Sequence, residues 1–178
     1  MATWQSRGLR GSGFEETINY TNEHYRDRGI ALVQKIPTPI TPIDFDKSKM
    51  LITKAYFDKK STVDYIGLAQ GVPIAFDCKE CAVKTFSLQN VHKHQLEFMK
   101  DFKKQGGVAF LLIYYHVENM IYYMRVEELE KFYSRAENGG RKSVAFDELD
   151  DKYKFPADQS LYINYLEFVN KELEEEEG

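Results

Sequence analysis

Residues 61–79, STVDYIGLAQGVPIAFDCK, leave this chain few ways to fold. Two short apolar runs, Tyr65–Leu68 and Val72–Phe76, flank Ala69, Gln70 and Gly71, so the stretch reads as a β-hairpin whose loop uses the freedom of a glycine. A hairpin sets Asp64 at the entry of one strand and Asp77 and Lys79 on the other. Side chains alternate between the faces of a strand, so Asp77 and Lys79 share one face and Cys78 takes the other. Asp64 lies close to them across the turn. Two carboxylates and an ammonium in the spacing D-x12-D-x-K suit the metal-dependent hydrolysis of a phosphodiester. The carboxylates offer hard oxygen ligands to Mg2+, and the lysine stands near the attacking water or the charge that develops on the phosphate.

The rest of the chain supplies a body for that hairpin. With 178 residues, 43% of them hydrophobic, it can build one sizeable core but not two comfortable ones. Phe14, Ile18, Thr21 and Tyr25 fall at helical spacing before Gly29, and Glu15 and Glu16 lie in the first turn, where the helix dipole favours acids. Residues 30–36 read as a strand, ended by Pro37, Pro39 and Pro42. Residues 49–57 resume an extended pattern, and 82–88 read as a linker. A helix follows over 89–105, then a buried central strand over 108–115 and its neighbour over 121–126. Shorter helical patterns cover 127–136 and 161–173. The fold class is therefore α/β, a mixed central sheet flanked by helices: an arm over 1–12, one domain over 13–173 and an acidic tail over 174–178.

Charge decides which partners are open to such a chain. Its formal net charge is -4, and the terminal KELEEEEG accounts for all of it, so residues 1–170 balance 23 basic against 23 acidic side chains. Phosphate binding depends on where Lys and Arg cluster, not on the sum. Lys47, Lys49, Lys54, Lys59 and Lys60 lie near Tyr56 and Phe57, mixing positive charge with stackable rings as nucleic-acid contact requires. Arg7 and Arg10 could serve similarly from the arm. No apolar run is long enough to cross a bilayer and the N-terminus lacks the apolar centre of a secretory signal, so a soluble, cytosolic protein is expected. Cys78 and Cys81 then read as reduced thiols. Together with His92 and His94 they look like a zinc set, but structural zinc sites separate their histidines by three to five residues, not one.

An Asp on one strand followed by (D/E)-x-K on the next resembles the PD-(D/E)xK nuclease core. Further blocks agree in order and spacing: the RG-x-x-FEE-x-IN-x-TN pattern between Gly8 and Asn22, Pro37-Thr38-Pro39-Ile40, Ser61-Thr62-x-Asp64-Tyr65-x-Gly67, Asp77-x-Lys79-Glu80, Asn90-x-His92-x-His94-Gln95, and the C-terminal Phe155-Pro156 with residues 162–173. Over nearly the whole chain they are similar to the RecU-type Holliday-junction resolvases. The resemblance implies a restriction-endonuclease-like core with a stalk, about residues 38–49, that enters the centre of a four-way DNA junction.

It also implies Mg2+, with Mn2+ as a substitute, held by Asp64, Asp77, Thr62 and Gln95. Glu15 would lie near the metal, Lys79 would act in catalysis, and Lys47, Lys49, Lys54, Tyr56, Arg7 and Arg10 would contact DNA. Asp77 departs from the family in standing where many members carry Glu. A homodimer is implied, since a junction has two like strands to cut, together with contacts to recombinase or branch-migration proteins. Two other readings share these residues: a PD-(D/E)xK nuclease acting on duplex DNA, and a non-catalytic junction-binding protein that regulates recombination.

Overall fold

A row of aromatic rings crossing neighbouring strands sets the register of the main sheet. The structure, a computed structural model, describes residues 12–57, 62–157 and 162–178. Arg7, Arg10, Lys59 and Lys60 lie outside the described residues. Six strands form the sheet: β1 (Ala31–Lys35), β4 (Tyr65–Ala69), β5 (Val72–Cys81), β7 (Val108–Tyr115), β8 (Met120–Arg125) and β10 (Lys154–Pro156), side by side in that order. Among these six strands, only β5 and β7 run parallel. Their connection passes through helix α2 (Lys93–Lys104), the crossover that a parallel pair needs. Tyr65 stacks on Phe76 at 4.8 Å, Phe76 on Phe110 at 4.8 Å and Phe110 on Tyr123 at 4.4 Å. Side-chain period in a strand is two, so a slip of one residue would drive Asp77 into the place of Phe76.

Helix α1 (Ser12–Asp27) and helix α4 (Leu166–Glu177) serve the ring-bearing face. The Tyr65 hydroxyl donates to Asn19 Oδ1 at 2.8 Å, and Phe168 of α4 stacks on Tyr123. Helix α2 covers the other face with buried Leu96 and Met99, beside helix α3 (Val126–Glu137). The core strand over 108–115 is as expected, buried at every position except half-buried Tyr114. No helix among the described residues is long and apolar enough to cross a membrane.

The hairpin reading holds in detail. Pairing of Ala69 with Val72 leaves a two-residue loop, Gln70 and Gly71, with φ of 48° and 92°. Two positive φ values are those of a type I′ turn, whose twist matches that of the strands. A second glycine is needed for another reason. Gly67 of β4 faces Val33 of β1, and a Cβ there would stand 2.5 Å from the Leu32 carbonyl oxygen and 2.8 Å from Val33 Cα. Backbone cannot yield cheaply, so Gly67→Ala is expected to cost about 3 kcal/mol, at the upper end of overpacking penalties. A urea melt checks this; an unchanged midpoint would contradict the close β1–β4 approach.

Three parts of the chain differ from the sequence reading. The segment from 40 to 57 forms β2 (Ile40–Asp46) and β3 (Leu51–Phe57), a two-stranded ribbon that among the described residues pairs only with itself, where the sequence reading has only an extended pattern over 49–57. The linker over 82–88 contains β6 (Thr85–Ser87), which pairs with β9 (Ser143–Ala145). The acidic tail is helical: α4 continues to Glu177. Lys103 donates to Glu172 at 2.8 Å and also pairs with Glu127 and Glu176, while Arg125 reaches Glu175 at 3.1 Å. These cations hold the glutamates that composition alone would leave to water.

Candidate functional site

The β4–β5 ladder ends at the pair Tyr65 and Phe76, and there the two strands part. Backbone donors next to the gap need acceptors, because a buried unpaired N–H is costly. Side-chain carboxylates supply them. The Asp64 N–H donates to Asp77 Oδ1 at 3.1 Å, and the Cys78 N–H donates to Asp64 Oδ2 at 3.1 Å. Each aspartate thus holds the other's strand, and their carboxyl groups converge in the opening. Asp77 is 0% exposed. Its Oδ2 accepts from Gln95 Nε2 at 2.9 Å and forms an ion pair with the Lys79 ammonium.

Electrostatics register this crowding. Burial, followed by the neighbouring carboxyl of Asp77, pushes Asp64 up to about 7, against the opposing pull of Lys79. Burial alone would lower Lys79, but the charge of Asp77 outweighs it and the ammonium is held above its ordinary value. Two carboxylates against one half-buried ammonium leave a surplus of negative charge enclosed by protein. An all-oxygen donor pair with excess negative charge fits a hard divalent cation. By contrast, the one group of three or more acidic, His or Cys side chains within metal-binding reach of each other among the described residues is Glu127, Glu172 and Glu176, and the Lys103 ammonium already sits among the three, paired with each.

Gln95, buried at the start of α2, accepts from the His92 N–H through Oε1 at 2.9 Å while its amide nitrogen holds Asp77. Both ends of its amide are therefore engaged, and it braces the carboxylate. Thr62 is half-buried in the coil entering β4, two residues before Asp64. Glu15 lies in the first turn of α1, paired with Lys35 at the end of β1. Lys47, Lys49, Lys54 and Tyr56 are all exposed on the ribbon, and Lys49 reaches Asp46 at 3.8 Å.

Lys35 is the residue that sequence reasoning missed. The hydrogen bond that its ammonium donates to Glu15 raises its pKa, and the charge of Asp64 adds to this, so Lys35 and Glu15 belong to the electrostatic neighbourhood of the aspartates. Its signal was only its place two residues before Pro37. The four residues of the zinc look-alike do not assemble. Cys78 and Cys81 are buried, Cys81 donates to the Val83 carbonyl at 2.9 Å, and His92 and His94 stack on each other.

Comparison with known proteins extends the same pattern. The profile of the family described as RecU, Recombination protein U, matches residues 9–171. A Holliday junction resolvase RecU of Lactococcus lactis is 41% identical over 169 residues, covering 92% of this chain and 78% of that protein. The corresponding protein of Pediococcus pentosaceus is 38% identical over 172 residues, covering 94% and 86%. That of Bacillus subtilis is 36% identical over 167 residues, covering 91% and 80%.

Proposed function

We infer that this chain, which belongs to the Recombination protein U family, is an endonuclease that resolves four-way DNA junctions, with Asp64 and Asp77 as the ligands of a divalent cation. The observation that carries this reading is the convergence of Asp64, Asp77 and Lys79 where β4 and β5 part. When bound, the cation supplies a Lewis acid for phosphate oxygens and lowers the pKa of an attacking water. Mg2+ suits the donor set, and Mn2+ can replace it. Thr62, in the coil before Asp64, adds a hydroxyl oxygen.

The chain's own side chains do the positioning. Lys79 donates to a phosphate oxygen as negative charge develops there, in a site where burial strengthens the interaction. Gln95 keeps Asp77 from turning away. Glu15 orients Lys35 toward the approaching phosphate backbone. Asp77, one methylene shorter than Glu, would hold a cation on the shorter arm, which bears on metal preference.

Lys47, Lys49 and Lys54 meet phosphates along the ribbon and Tyr56 stacks on unpaired bases near the branch point. Its exposed Ile43, Phe45 and Phe57 make a lone two-stranded ribbon marginal in water, and DNA offers it a surface. A junction presents two strands of like polarity, so two copies related by a two-fold axis would cut both.

The test compares a synthetic four-way junction with linear duplex of the same sequence, with Mg2+ and with chelator. Paired nicks near the branch, in the junction and only with metal, are expected. Equal cutting of duplex would point to a general nuclease. Binding without cleavage under both Mg2+ and Mn2+ would point to a regulatory binding protein.

A further inference from the structure

We propose that the open cavity between the start of α2 and the end of α3 holds one nucleotide of the cleaved strand, beside the scissile phosphate. This deepens the junction-nuclease reading and rests on it. The cavity has a volume of about 590 Å3, in the range of small-ligand sites. Its apolar part comes from Leu88, Val91 and Ala136, and its rim carries His92, Lys93 and Lys142. An apolar floor under a cationic rim matches a base joined to a phosphate, and matches neither a purely apolar ligand nor a metal ion.

The walls are fixed before any ligand arrives. The Leu88 N–H donates to the Lys142 carbonyl at 3.1 Å, pinning the two rims together. Tyr133 donates its hydroxyl to the carbonyls of Leu88, at 3.1 Å, and Val91, so its ring is a tethered wall. Glu137 is the one acid on the rim, and it faces Lys93 at 3.6 Å with both side chains well exposed. An ion pair so exposed contributes little, and a phosphate can exchange for it.

Continuity with the aspartates identifies the occupant. His92 lines the cavity, its N–H is held by Gln95 Oε1, and Gln95 Nε2 holds Asp77. Two hydrogen bonds therefore separate the rim from a proposed metal ligand. On this proposal, a strand whose phosphate lies at Asp77 seats its neighbouring nucleotide in the cavity, and that seating fixes which phosphate is presented. The cavity is then a determinant of cleavage position.

Two variants test this on the full-length protein. Lys93→Ala with Lys142→Ala removes the cationic rim, and Ala136→Trp fills the floor; circular dichroism confirms that each folds. Junction binding is measured against salt, and on junctions carrying one abasic position at a time near the cut. For the wild type, one abasic position should weaken binding by about tenfold, the order of one lost base contact. Ala136→Trp should erase that dependence, and the double lysine variant should reduce the salt slope by about 1 to 2. An abasic scan without any sensitive position, or one unaltered by Ala136→Trp, overturns the proposal, as does an unchanged salt slope. Asp77→Asn separates the two readings: loss of cleavage with the abasic pattern intact supports both. Cleavage by Asp77→Asn at the wild-type rate defeats the nuclease site and leaves the cavity result to stand or fall by its own binding data.

Discussion

Asp64→Asn is expected to make the metal-free protein more stable at pH 8 while reducing junction cleavage by about a thousandfold. The stability half follows from the raised pKa of Asp64, about 7 in the fold against an ordinary 3.8. Between those values the folded chain keeps a proton that the unfolded chain has lost. Stability therefore falls as pH rises from about 4 to 7, and the full penalty is present above 7. Borne by Asp64 alone it would be about 4 kcal/mol. Shared between two coupled carboxyls, about 2 kcal/mol is the expectation, or about 4–8 °C in a chain of this size.

Asn keeps the acceptor for the Cys78 N–H and turns a donor toward Asp77, so the substitution removes repulsion without opening a gap. Cleavage falls because the site loses one of its two charged oxygen ligands, and the several kcal/mol that a catalytic cation supplies convert to roughly three orders of magnitude in rate. Saturating Mg2+ should reverse the stability order. At a hundred times its Kd the ion adds about 2.7 kcal/mol to the wild type, and far less to the variant. Thermal melts at pH 5 and pH 8, each with chelator and with Mg2+, check all of this. A variant less stable than the wild type at pH 8 without metal would show that the carboxylates do not oppose each other.

Lys79→Met carries the opposite sign. It keeps the aliphatic stem and removes the ammonium that pairs with the fully buried Asp77. Stranding one partner of a buried ion pair costs about 3–5 kcal/mol. Lys79 is held above its ordinary value, so the stabilisation it gives is complete below about pH 10 and lost only above the folded pKa. The loss in Lys79→Met should be largest near pH 8, where Asp64 is ionised and adds to the charge that Lys79 faces. It should shrink toward pH 5, where Asp64 takes a proton, and shrink again with Mg2+. Junction cleavage should fall by about a thousandfold even where the metal restores stability, because the cation cannot replace a donor aimed at the phosphate. Denaturant titrations and single-turnover rates separate the two effects. Full activity of Lys79→Met would remove Lys79 from the mechanism.

The parts of this structure legible from sequence are those written in short-range periodicity. The period of two on either side of Gly71 was enough to place Asp64, Asp77 and Lys79 together, and the glycine-bounded run of residues 108–115 was enough for the central strand. Contacts between distant parts of the chain were not legible. Nothing in Gln34 or Lys35 announces that β1 pairs with β4, and so the Lys35–Glu15 pair could not be read. Three-residue strands such as β6 and β9 are too short for alternation to show. The ribbon misleads for another reason: Ile43, Phe45, Leu51 and Ile52 are apolar yet exposed, so hydrophobic pattern does not mark where the body ends. The C-terminal glutamates look solvated until Lys103 and Arg125 are seen against them. Gln95 was singled out only through the family resemblance, and its hold on Asp77 depends on the His92 N–H, which fixes which way its amide points.

The account stands on Asp64 and Asp77 jointly holding one cation, and calorimetric titration of Mg2+ at pH 7 in two buffers of different ionisation enthalpy measures that directly. One ion per chain should bind the wild type with release of about half a proton, the share that a group with pKa near 7 still carries at that pH. Neither that binding event nor its proton release should survive in Asp64→Asn. Binding of equal affinity and stoichiometry in the wild type and the variant, with no proton released in either, would contradict it.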